Sequence, residues 1–94
     1  MHTPITKTTK GHRVWIQGTC TKYGWPVGAR YDVTYGTEGA IWVTLNPEGK
    51  RKVSSGKGGI IDLVSSKVTQ WAQGSDTATV AVNPERTQII IVNE

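Results

Sequence analysis

The sequence predicts a mainly β protein with one helix, an α+β chain folded as a small barrel from two similar β-α-β-β units. Three observations predict it. The apolar residues are mostly β-branched and alternate with polar ones over short runs, which is the period-2 signature of half-buried strands. Glycine and proline punctuate the chain between those runs. The order strand, helical segment, strand, hairpin, strand occurs twice.

Residues 1–11 lack apolar periodicity and contain Pro4, Gly11 and four threonines, so they read as a basic, poorly ordered arm. A single domain is expected over 12–94, with halves 12–48 and 60–94 joined by a loop, 49–59. In the first half, HRVWIQ (12–17) sets Val14 and Ile16 against Arg13, Trp15 and Gln17, a short strand. GTCTKYGWPVGA (18–29) is turn-rich, with room for one helical turn around Thr19 to Tyr23. RYDVTY (30–35) and AIWVTL (40–45) alternate cleanly and make a hairpin across a four-residue loop, Gly36 to Gly39. Asn46-Pro47-Glu48-Gly49 is a turn, and a short KRKV strand follows before SSGKGG breaks the chain.

The second half opens with IIDL (60–63), a brief buried strand. SSKVTQWAQG carries a serine N-cap, places Val68, Trp71 and Ala72 on one face, and stops at Gly74, so it is the one clear helix. TATVAV (77–82) and TQIIIV (87–92) form a hairpin across Asn83 to Arg86.

Ninety-four residues bound a single small domain. One cysteine, Cys20, excludes an intrachain disulfide, and no apolar run approaches the ~18 residues of a membrane span. A cytoplasmic protein with no membrane partner is expected. The net charge of +4 hides an asymmetry: residues 1–59 carry nine Lys/Arg against three acids, while residues 60–94 carry two against four. A basic half points to an anionic partner.

The stretch RVWIQGTCTKYGWPVGARYDV (13–33) resembles the SymE-like branch of the SpoVT/AbrB superfamily. The resemblance lies in the apolar strand Val14-Trp15-Ile16, in Gly18, in the pair Gly24-Trp25, in Gly28, and in Tyr31 with Val33. The later LNPEGKRKVS and IIDL resemble small domains associated with phage DNA methyltransferases. The resemblance implies a swapped-hairpin barrel of two β-α-β-β units, usually a homodimer, that binds DNA or acts in nucleic-acid biology. Because this chain carries both units, the barrel closes either within one chain or between two.

GKRKVSSGKGG (49–59) holds four basic residues and four glycines. It fails as a P-loop: Arg51 stands where the first glycine is needed, and Gly58 where Ser or Thr is needed after Lys57. It reads either as a solvated connector or as a phosphate-contacting surface, since lysine and arginine neutralise phosphates and glycine admits close backbone approach. The candidate nucleic-acid-binding residues are Lys50, Arg51, Lys52 and Lys57, helped by Arg13 and Arg30, with Lys22, Lys7 and Lys10 extending the same field. Trp15 and Trp42 lie opposite the apolar faces of their strands, either as core or as partner-binding anchors. His2 and His12 are the only histidines, and Cys20 has no neighbouring ligand in sequence, so no catalytic site, metal or cofactor is expected. The leading expectation is duplex-DNA binding through phosphate contacts. The alternatives are a phage-type accessory or anti-defence protein, such as an anti-CRISPR, that binds a host protein or an anionic nucleotide, and an RNase-like toxin using His12.

Overall fold

Each run of alternating β-branched residues folds as a strand. The computed structural model describes residues 1–36 and 39–94. The elements are β1 (His2–Thr8), β2 (Gly11–Gln17), α1 (Thr19–Lys22), β3 (Arg30–Tyr35), β4 (Ala40–Leu45), β5 (Arg51–Lys52), β6 (Ile60–Ser65), α2 (Ser66–Ala72), β7 (Thr77–Val82) and β8 (Gln88–Asn93). The turn expected at Gly36 to Gly39 includes Thr37 and Glu38, which lie outside the described residues.

The strands form one antiparallel sheet in the order β5-β3-β4-β8-β7-β1-β2-β6, curled into a nearly closed barrel within a single chain. Its two edges meet just beyond β5, where Ser54 exchanges both backbone hydrogen bonds with Ile60 at the start of β6. The inward residues are those of the alternating pattern: Val14, Ile16, Tyr31, Ile41, Val43, Ile61, Leu63, Ala78, Val80, Ile89 and Ile91 are buried together.

The expected flexible arm is instead β1, which pairs with two strands. His2–Pro4 lie against β7, and Ile5–Thr8 lie against β2. Thr3 and Ile5 are buried, so the alternation is there but only two positions long. Pro4 obscures it in the sequence, because proline has no N–H for a central ladder. Here it sits where the strand changes partner, and the next amide, Ile5 N–H, bonds Asp76 O.

The same observation enlarges the repeat. Thr3 pairs with Ala78 of β7, and Arg51 pairs with Tyr31 of β3. Ile5 lies opposite Val14, and the register of the Ser54–Ile60 bridge puts Val53, also buried, opposite Ile61. The segment after Gly49 is therefore the counterpart of β1, and each unit is β-β-α-β-β. The helix N-caps Gly18 and Ser65 occupy matching places, 47 residues apart. After the hairpins the offset becomes 48, because five residues separate β7 from β8 and four separate β3 from β4.

The units interlock by exchanging strands. β2 pairs with β6 and β4 with β8, and each ladder places a residue opposite its own counterpart, Trp15 against Asp62 and Trp42 against Ile90. Both ladders thus straddle one pseudo-twofold axis. Two tryptophans lock the exchange: Trp25 Nε1–H donates to Arg86 O at 2.8 Å, and Trp71 Nε1–H donates to Gly39 O at 2.7 Å. Gly39 and Arg86 lie in the two hairpin loops, close to their C-terminal ends, and both have positive φ.

Candidate nucleic-acid interface

The basic stretch 49–59 does two structural jobs before any binding role. Val53 closes the barrel seam, its N–H bonding Ala29 O and its carbonyl accepting from Gly28. Residues 56–59 then run through four positive φ values, and the carbonyls of Gly58 and Gly59 accept the first amides of α1. A Cβ at Gly59 would collide with Thr19 Oγ1, so glycine is required there on steric as well as conformational grounds.

The structure does not gather the predicted cations on one face. Lys50 and Arg51 line a groove of about 600 Å³ with Tyr31, Asp32, Val33, Tyr35, Ser65, Ser66 and Lys67. Arg30 and Lys52 are cross-strand partners, on the opposite face of the β3–β5 ladder from Tyr31 and Arg51. Arg30 spends one donor on Gly49 O at 2.9 Å, bracing the Asn46–Gly49 turn. Lys57 stands apart beside Lys22, Gln17 and Gly18. Arg13 is neutralised: its guanidinium makes a two-pronged contact with Asp62 at 2.9 and 3.1 Å, and its carbon centre lies 5.2 Å from the Trp15 ring centroid. Among the described residues, no other Lys or Arg forms an ion pair.

Lys67 is a cation of the groove that charge clustering along the sequence does not point to. It is the second residue of α2, in the acidic half, yet the fold carries its Nζ to 5.9 Å from the Tyr35 ring centroid, at the basic groove of the other half. Burial pushes the Tyr31 hydroxyl up from the ordinary phenol range, while the charge of Arg51 beside it pulls the other way and Asp62 adds to the rise. Asp32, the one carboxylate lining the groove among the described residues, accepts from Asn46 Nδ2 at 2.6 Å.

The two candidate anchors face apart. In an eight-strand ring the β2/β6 and β4/β8 ladders are four strands away from each other, so Trp15 and Trp42 lie on opposite walls. Trp15 is 37% exposed, and Trp42 is half-buried against Gly36. His12 Nδ1 lies 2.9 Å from Thr69 Oγ1, while His2 contacts Glu94 at the other side of the sheet. Among the described residues no three His, Cys, Asp or Glu side chains cluster, and no helix is long and apolar enough to cross a membrane.

No protein-family model, curated protein or solved structure matches the chain.

Proposed function

We propose that this protein is a DNA-binding protein of the AbrB/SymE type that contacts phosphates through the β3–β5 edge and the adjoining start of α2. One observation carries the reading: Lys50, Arg51 and Lys67 line one groove, with Arg30 and Lys52 on the reverse of the same two-strand ladder. Five cations around one edge suit a polyanion, whose affinity comes from counterion release. Arg13 drops out of the contact set because Asp62 already holds it. Lys57 serves at most a separate contact.

The test is a salt titration of binding to duplex DNA. Affinity should fall steeply between ~50 and ~200 mM salt, and replacing Lys50, Arg51 and Lys52 together by alanine should flatten the log–log slope by up to about 2.7, at 0.9 per phosphate contact. Absence of duplex binding at low salt, or an unchanged slope in the triple variant, would sink the proposal. A second reading, an accessory protein that binds a host protein, draws on the exposed ring of Trp15. It predicts a stoichiometric complex that Trp15→Ala abolishes and that Trp42→Ala, on the opposite wall, leaves intact.

A further inference from the structure

The pseudo-twofold repeat supplies an internal comparison for the basic groove. The other unit holds a smaller depression of about 260 Å³ that shares three equivalent positions with it, His2, Thr3 and Val80. Pairing register makes Thr3 the counterpart of Arg51, His2 that of Lys50, and Val80 that of Val33. The helix offset makes Cys20 the counterpart of Lys67. The same fold positions thus hold Lys50, Arg51 and Lys67 on one side and His2, Thr3 and Cys20 on the other.

The basic groove is also half of a longer one. Val33, Tyr35 and Lys67 line both it and a neighbouring cavity of about 540 Å³ between β3 and α2. That second compartment has a different character. Trp71 forms part of its wall, with its indole N–H committed to Gly39. Tyr35, Thr34, Gln70 and Gln73 complete it with an aromatic ring, a hydroxyl and two side-chain amides. Period-2 spacing puts Tyr31, Val33 and Tyr35 on one face of β3, and helical spacing puts Lys67, Gln70 and Trp71 on the side of α2 that meets it. Volumes of this size match those of small-molecule sites.

We propose that this two-part groove binds a nucleotide unit, with its phosphate among Lys50, Arg51 and Lys67 and its base stacked on Tyr35 within reach of the Gln70 and Gln73 amides. Cations fix the phosphate, an aromatic face takes any base, and amides satisfy the base's donors and acceptors. A base inside a duplex presents no free face, so the ligand is a free nucleotide or an unpaired nucleotide of a single strand. The inference shares Lys50, Arg51 and Lys67 with duplex binding but does not depend on it.

The test uses two probes, thymidine 5′-monophosphate and an eight-residue oligothymidylate, titrated by calorimetry with duplex DNA alongside. Tyr35→Leu keeps apolar bulk but removes the π-face, and should weaken binding roughly 5- to 150-fold for one stacked base. Tyr35→Phe should restore it. Gln70→Ala, at a residue that lines only the second compartment, should weaken nucleotide binding and leave duplex affinity and the salt slope unchanged, so loss of one activity is separable from loss of the other. Saturable binding of the monophosphate identifies the free nucleotide, and binding of the oligonucleotide alone identifies the single strand. No saturable binding of either probe, or equal affinities for wild type and Tyr35→Leu, would overturn the proposal.

Discussion

Trp25→Phe tests whether the exchange of hairpins between the two units holds this barrel together. The Trp25 ring is fully buried, lies 6.2 Å from the Tyr31 ring centroid, and donates its indole N–H to Arg86 O at 2.8 Å. Phenylalanine keeps a ring against Tyr31 but removes the donor and leaves part of the indole's space empty. The lost hydrogen bond costs about 1 kcal/mol, and the unfilled space adds about 1–2 kcal/mol, for a total of about 2–3 kcal/mol. At 4–8 °C per kcal/mol for a domain of this size, the midpoint should drop by roughly 8–24 °C. The assay is thermal and urea unfolding followed by tryptophan fluorescence and far-UV circular dichroism. Interlocked units require coincident, single transitions by both probes in wild type and variant alike. A loss below about 0.5 kcal/mol, the size of an ordinary surface substitution, would refute the role assigned to the bond, and two separated transitions would refute the interlocking.

Removing residues 1–8 should abolish cooperative unfolding or cause aggregation, because it exposes the edges of β2 and β7 and uncovers the core beside Ile5. A truncated chain that melts like the whole one would return this segment to a dispensable arm. Alkaline pH should destabilise the fold, since burial raises the hydroxyls of Tyr23 and Tyr31 above their ordinary value. With folded values above the unfolded value of about 10, the native state holds more protons, so stability present below about pH 10 is lost as pH rises through the folded values. Tyr31→Phe should flatten that loss in melts recorded from roughly pH 9 to 12, and an unchanged profile would count against a buried phenol there.

Much of the barrel was legible because it rests on local pattern. β2, β3, β4, β7 and β8 announce themselves by alternation, and α2 by its Ser65 cap and the spacing of Val68, Trp71 and Ala72. The helix ends one residue earlier than its glycine suggests, with Gln73 already left-handed before Gly74. The short KRKV strand is present as β5, but β1 and the closure of the barrel at Val53 are hidden for one shared reason. Each buries only one or two side chains, and a proline in one and flanking charges and glycines in the other mask the period. The expected arm and connector are equivalent strands, and each bridges the two units, β1 between β2 and β7 and the β5 segment between β3 and the start of β6.

The candidate site was half legible. Composition alone placed the charge in the first half of the chain, and Lys50 and Arg51 keep their candidacy. It could not show that Asp62, 49 residues away, occupies Arg13, or that Lys67 joins the groove across the barrel. By itself the sequence determined which segments are strands, that two similar units exist, and that the chain is basic, because propensity, periodicity and charge are properties of neighbours along the chain. Tertiary structure alone decided how the units interlock, which cations are neutralised, and which of two equivalent sets of positions carries the charge. Those depend on strand register and on side chains brought together from distant positions, and no local pattern encodes either.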